Sequence, residues 1–319
     1  MIRRDLVGQK ASKSRVGGTS KNGLTLVLAL ILAVSCVGAM LMGCESKPAT
    51  FTDGVGRTIS LEKTPEKIVS LSPAHTEILF ALGLGDKIVG VSNWCNKPEE
   101  ALDKEKVGDA FSLNKEKLVS LKPDIVFIPG SEDSPQVKEI EDLGIAVYVS
   151  NPASVSQVFD EIRRVAEVTG VKDQGQQLAE KLEGELDSVK EKLQTTEGSK
   201  VKVLVLVDPE LWTVGPGSFI DEVVALAGGD NVMGDVDMQY LQVSMEEVLS
   251  RDPDVILMTV PEDQCAALEE RPGWTDLRAV KEGRVYYVDG DLVSRPGPCI
   301  VDAIEEVAGY LYPDLELGE

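Results

Sequence analysis

Leu113-Asn-Lys-Glu-Lys-Leu-Val-Ser-Leu-Lys-Pro-Asp-Ile-Val-Phe-Ile128 returns later in the chain as Val243-Ser-Met-Glu-Glu-Val-Leu-Ser-Arg-Asp-Pro-Asp-Val-Ile-Leu-Met258. Each copy reads as a capped helix, a Pro-Asp turn and a buried strand. Asn114 and Ser244 stand at N-cap positions, and Pro123 and Pro253 stop the helix before a β-rich apolar run begins. A second echo pairs Phe80-Ala-Leu-Gly-Leu-Gly-Asp-Lys-Ile-Val-Gly90 with Val224-Ala-Leu-Ala-Gly-Gly-Asp-Asn-Val-Met-Gly234. Both read as a helix end, a glycine turn and a strand start. Two similar lobes in one chain imply a cleft between them, and a cleft suggests a ligand.

Strands are expected at Ile68–Leu71, Ile88–Val91, Asp124–Ile128 and Ala146–Val149, alternating with helices near Thr76–Leu82, Lys115–Leu121 and Gln136–Leu143. Such alternation predicts a parallel sheet covered on both faces. From Ser154 the pattern turns purely helical: Ser154 and Gln157 make a capping box, and Val155, Val158, Phe159, Ile162, Val165 and Ala166 form one apolar stripe. A further helix from Asp173 to Gln194 would run about 33 Å, enough to reach from lobe to lobe. Strands resume at Val201–Val207, Asp254–Met258 and Arg284–Val288, with helices near Phe219–Leu226, Met245–Ser250 and Val301–Leu311. The expected organisation is a leader (1–43), a tether with an edge strand (44–66), a first lobe (67–153), a helical linker (154–199) and a second lobe (200–319). The expected fold is thus α/β, with two Rossmann-like lobes on parallel sheets joined by a single long backbone helix, and a ligand cleft between them.

The leader is basic, with Arg3, Arg4, Lys10, Lys13, Arg15 and Lys21, and it precedes an apolar run from Leu24 to Gly43. It ends Leu41-Met42-Gly43-Cys44, which resembles a bacterial lipobox, so Cys44 is expected to carry lipid and hold the remainder on the extracytoplasmic face of the membrane. An uncleaved membrane anchor is the alternative, since about 20 apolar residues can span a bilayer. From Cys44 onward the chain has 26 Lys and Arg against 53 Asp and Glu, a net charge of −27. Such a surface repels nucleic acid and anionic lipid. Cys95, Cys265 and Cys299 remain for the folded part, so at most one internal disulfide can form.

The single histidine, His75, excludes a multi-histidine metal site. No G-x-S-x-G motif accompanies it, and capping by Thr76 or His75 is the expected role for this helix start. Aromatic residues make up only 5% of the chain. Trp94 and Trp212 follow the expected strands ending at Val91 and Val207, at carboxyl ends where open α/β sheets place ligands. Phe111 and Tyr240 occupy corresponding loops before the two repeated helices. Four aromatics on cleft-side loops suit a large, flat, partly apolar ligand, although each could also simply pack its loop onto a lobe. Trp274 is expected to be structural. Asp291 and Arg295 could form a buried pair or present a carboxylate and a guanidinium to a ligand's rim. Glu116 and Glu246 hold the same position in the two repeats. They could meet the helix dipole, or form a two-point surface for a two-fold partner with basic sockets.

With these residues in hand, the chain resembles class III substrate-binding proteins of ABC importers, a group serving cobalamin, ferric siderophores and haem. The resemblance rests on Ile68-Val-Ser-Leu-Ser-Pro-Ala-His-Thr-Glu-Ile-Leu-Phe-Ala-Leu-Gly-Leu-Gly-Asp-Lys-Ile-Val-Gly-Val-Ser92, Leu121-Lys-Pro-Asp-Ile125 and Arg295-Pro-Gly-Pro298. It is most similar to the cobalamin-binding branch. The resemblance implies a corrinoid held by Trp94, Phe111, Trp212, Tyr240, Asp291 and Arg295, and delivery to a permease dimer with ATPase subunits through Glu116 and Glu246. It implies little hinge motion, no catalytic step, no resident cofactor or metal, and no nucleic-acid partner. A ferric siderophore or haem receptor of the same fold is the first alternative, and an extracytoplasmic enzyme is the second.

Overall fold

A computed structural model of the protein describes residues 48–315, apart from 197 and 199. Cys44 and the leader lie outside the described residues. Strands β1 (Ala49–Thr52) and β2 (Thr58–Leu61) pair antiparallel as a separate two-stranded sheet. The single edge strand expected within 44–66 is therefore a pair, because Asp53 closes a turn by accepting from the backbone of Val55 and Arg57. The turn is held to the first lobe by Gly54 N–H, which donates to the Val149 carbonyl.

In the first lobe, β3 (Ile68–Ser70), α1 (Pro73–Ala81), β4 (Ile88–Val91), α2 (Lys115–Leu121), β5 (Ile125–Pro129), α3 (Pro135–Glu141) and β6 (Ala146–Ser150) alternate as the sequence predicts. The four strands run parallel in the order β4-β3-β5-β6. Central β5 reads Ile-Val-Phe-Ile, buried throughout, as a strand covered on both faces must be.

Two helices follow, α4 (Val155–Val168) and α5 (Lys172–Leu193), joined by a three-residue turn and packed along one another. Gly175 allows their close approach, since a Cβ there would lie 2.2 Å from that of Ala166. The expected capping box forms in its first half, the Ser154 hydroxyl accepting from Gln157 N–H, while the Gln157 side chain reaches one residue further back and accepts from Ala153 N–H. The bridge between lobes differs in one detail from a lone long helix. It is α4 that packs on both lobes, while α5 lies on α4 and on the carboxyl-terminal helix. The reason is the α4 stripe. Val158, Phe159, Ile162, Val165 and Ala166 are all buried and belong to one apolar core that continues into both lobes. Each of the larger side chains contributes about 1.5–3 kcal/mol by leaving water. A core continuous through the connection resists hinge motion.

The second lobe comprises β7 (Val201–Asp208), β8 (Trp212–Val214), α6 (Phe219–Leu226), β9 (Gly229–Asn231), β10 (Tyr240–Gln242), α7 (Met245–Arg251), β11 (Val255–Met258), β12 (Val285–Tyr287), α8 (Gly290–Ser294) and α9 (Ile300–Leu311). Parallel β9, β7, β11 and β12 repeat the arrangement of the first lobe, and β8 and β10 add an antiparallel pair that the sequence did not announce.

The repeated segments fold alike down to their hydrogen bonds. Asn114 accepts from Lys117 N–H and Ser244 from Glu247 N–H, capping α2 and α7. Each helix ends in a left-handed residue, Lys122 or Asp252, ahead of its proline. Asp124 and Asp254 then each accept from the backbone at the neighbouring strand's start, at Lys67 and Lys202. The expected structural role of Trp274 holds, as it is buried in the second lobe's outer core. Cys95, Cys265 and Cys299 are all free thiols.

Candidate ligand-binding cleft

A cavity of about 400 Å³ opens where the carboxyl ends of the first lobe's strands meet α8 of the second. Its wall includes Ser72 and His75 at the start of α1, the Trp94 loop after β4, Pro129 and Ser150 at the ends of β5 and β6, and Asp291 and Arg295. Carboxyl ends of parallel strands are where such sheets place ligands, and here they supply one whole side.

Of three Trp, six Tyr and six Phe, four are solvent-exposed among the described residues: Trp94 at 67%, Phe111 at 90%, Trp212 at 43% and Tyr240 at 52%. These are the four expected on cleft-side loops. Each is presented by a polar or apolar anchor beneath it. Under Trp94, Cys95 is buried against Thr76 and Ser92, and Ser92 accepts from Trp94 N–H. Phe111 stands on a turn whose N–H groups at 111 and 112 donate to Asp109. Buried Leu211, at φ +64°, turns the chain so that Trp212 emerges. Gln242 lies opposite Trp212 in the β8–β10 ladder, and Tyr240 opposite Val214, so Trp212 and Tyr240 are diagonal neighbours on one exposed face. The structure brings Trp94, Asp291 and Arg295 together in the cavity wall, whereas Phe111 on its loop, and Trp212 and Tyr240, which begin strands β8 and β10 instead of lying on the expected loops, stand outside it.

Asp291 and Arg295 resolve into a pair with 2.7 Å between Oδ2 and Nη2. Arg295 also reaches across to the first lobe, with Nη1 2.5 Å from Glu77 Oε1 and 3.1 Å from Asn96 Oδ1. Burial pushes the Glu77 carboxyl up, and the Arg295 hydrogen bond and charge oppose that rise. Neither Glu77 nor Asn96 was expected at the site. Glu77 closes the Ser-Pro-x-x-Thr-Glu segment and Asn96 follows Trp94 by two residues, which is the signal that could have marked them.

His75 is not a cap. Ser72 takes that role, accepting from His75 N–H, with Pro73 at the first helical position. The imidazole is buried between Phe127 and Tyr148, with Nε2 2.8 Å from Glu161 Oε1 on α4. Burial would raise Glu161, but the hydrogen bond and charge of His75 outweigh it and hold the carboxyl below its ordinary 4.5. A depressed carboxylate supplies stability that is complete above pH 4.5 and lost as pH falls through the lower folded value. Thermal melts of the parent and Glu161→Gln should therefore differ most at neutral pH and converge in acid, and a constant difference across pH would contradict this. Removing His75 takes one partner from the buried Glu161 carboxylate and leaves it the Arg164 guanidinium at 3.4 Å, at a cost of about 1–3 kcal/mol. His75→Gln should leave the visible spectrum of a bound coloured ligand unchanged, because Nε2 is committed to Glu161; a lost spectrum would make His75 a metal ligand.

Glu116 and Glu246 are exposed at the second residue of α2 and α7, and among the described residues neither has an ion-pair partner. Among the described residues no cluster of three metal-binding side chains occurs, and no helix is long and apolar enough to cross a membrane.

The sequence model of the periplasmic binding protein family matches residues 68–292. The chain belongs to that family. An uncharacterized ABC transporter substrate-binding lipoprotein of Bacillus subtilis, YvrC, is 38% identical over 277 residues, covering 85% of this chain and 87% of its own. The vitamin B12-binding protein of Vibrio cholerae is 31% identical over 248 residues, 77% of this chain and 89% of its own. A crystal structure from that species superposes with a TM-score of 0.68 at 30% identity, covering 78% of this chain and 98% of the other. The haem-binding protein RhuT of Roseiflexus gives a TM-score of 0.71 at 27% identity, with coverage of 78% and 98%. As a periplasmic binding protein, this chain is an extracytoplasmic carrier of a small molecule for an ABC importer, with no catalytic step.

Proposed function

We propose that this periplasmic binding protein is a lipid-anchored receptor that captures a corrinoid, cobalamin or a close relative, and hands it to an importer. The observation that carries the reading is the set of exposed aromatics. Burial is the ordinary fate of such rings, and the four that escape it are Trp94 in the cavity wall, Phe111 on the loop before α2, and Trp212 and Tyr240 at the starts of β8 and β10. A flat macrocycle offers them faces to stack on, while polar side groups can meet the rim at Asp291 and Arg295. Relatives named for vitamin B12 binding in several Vibrio species support the same ligand. Haem is the competing cargo, favoured by the likeness to RhuT. Against it stands His75, the only histidine, whose ring is buried with Nε2 already held by Glu161. A ferric siderophore fits less well, because Arg295, the one Lys or Arg of the cavity wall, is already paired on three sides. Attachment through Cys44 accords with the lipoprotein relative. Glu116 and Glu246 are proposed to dock on the permease dimer. The test is gel filtration of the full-length protein after incubation with cyanocobalamin, haemin or a ferric siderophore. Co-elution of the corrinoid spectrum alone supports the reading, and retention of haem or siderophore in its place would overturn it.

A further inference from the structure

The hydrogen bonds of Arg295 belong to a larger set that ties the two lobes across the cleft. Asn96 Nδ2 donates to Asp291 Oδ2 at 2.9 Å, and Lys97 Nζ donates to Asp289 Oδ2 at 2.7 Å. With the Arg295 bonds to Glu77 and Asn96, four contacts join the first lobe to α8. Their centre is dry, with 10% exposure for the Arg295 side chain and 7% for that of Glu77. The backbone fits closely around it: a Cβ on Gly297 would lie 3.0 Å from Glu77 Oε2.

Each end of this set is fixed to its own lobe. Glu77 stands on α1 among buried neighbours. On the other side, α8 lies against the end of β11 so closely that a Cβ on Gly290 would come 2.5 Å from the Thr259 carbonyl oxygen. Between them runs the Trp94 loop. It is bound to the first lobe through Ser92 N–H to the Ser70 carbonyl and Asn93 N–H to the Gly108 carbonyl. At Asn96 and Lys97 it is bound to the second lobe.

We infer that Glu77 is a positioning residue for ligand capture: through Arg295 and Asn96 it forms a polar clasp that sets the separation of the lobes and the pose of the Trp94 loop. The clasp rests on the reading of Trp94 as a ligand-stacking ring, and its hydrogen bonds fix Asp291 and Arg295 against the first lobe. Their arrangement is preorganised, so ligand binding need not order it. Glu77 itself touches no ligand. Burial opposes its charge, and the Arg295 guanidinium, which stays protonated at any physiological pH, keeps the pair together.

Amide hydrogen exchange of the full-length protein without ligand tests the clasp directly. In Glu77→Gln, amides of residues 92–98 and 290–297 should exchange at least about tenfold faster, while those of β5 and β11 keep the parent's rates. Exchange unchanged in both segments overturns the inference, as does acceleration spread evenly through both cores, which is the mark of general destabilisation. Asn96→Ala, a change at an exposed residue, should loosen the same two segments and serves if Glu77→Gln folds poorly. Cyanocobalamin affinity supplies the second arm. Glu77→Gln and Arg295→Gln should each weaken it about tenfold, with the double variant no weaker than the worse single, because both remove one device. Additive losses would overturn the inference. A parent protein that fails to bind cyanocobalamin would sink the corrinoid reading alone, since the exchange arm uses no ligand.

Discussion

Trp94→Ala and Trp212→Ala should each weaken cyanocobalamin binding by about 1–3 kcal/mol, which is roughly five- to 150-fold, if the rings form the centre of the contact. The two residues come from different lobes, and stacking from both sides is what a flat ligand in an interlobe cleft requires. Trp94, at 67% exposure, loses little packing on truncation, whereas Trp212, at 43%, loses more. Thermal stability should therefore change less than affinity in Trp94→Ala, the cleaner of the two variants. Calorimetry on both variants separates the effects. Parental affinity in both would place the ligand elsewhere.

A still larger loss is expected in transport. Glu116 and Glu246 stand at the same position of two repeats that share caps, left-handed helix ends and Pro-Asp turns, so they project from equivalent places on the two lobes. A two-fold permease can meet such a pair with two arginine sockets. Breaking one side of a desolvated charge pair costs about 2–5 kcal/mol, so Glu116→Ala with Glu246→Ala should nearly abolish uptake in cells carrying the cognate importer. Each single change should do less, and its effect should shrink at high salt. Cyanocobalamin affinity should stay at the parental value throughout. Uptake at the parental rate by the double variant would leave these residues only their favourable place near the helix dipole.

The repeat made most of the fold legible. A cap, a proline stop and a β-rich run are local signals, and β5 and β11 are both interior strands flanked by parallel neighbours on either side, as two copies of one unit should be. The exposed aromatics were legible only in part: Trp94 lies just past the carboxyl end of β4, but Trp212 and Tyr240 begin the strands of an antiparallel pair that no local pattern marked. His75 was misread because Pro73 already fixes the first helical position, which gives the cap to Ser72 and turns the imidazole inward. The clasp could not be read from spacing at all. Glu77 and Arg295 are 218 residues apart, and no periodicity reports which two helices meet across a cleft. Glu161 was hidden for a similar reason: it interrupts no apolar stripe, and only the packing of α4 against the first lobe makes it the partner of His75.

Titration calorimetry of the full-length protein with cyanocobalamin tests the central claim most directly. The account predicts saturable binding at one site per chain, with cobinamide competing for it and haemin failing to. Absence of binding heat with cyanocobalamin, alongside saturable binding of haemin, would contradict it.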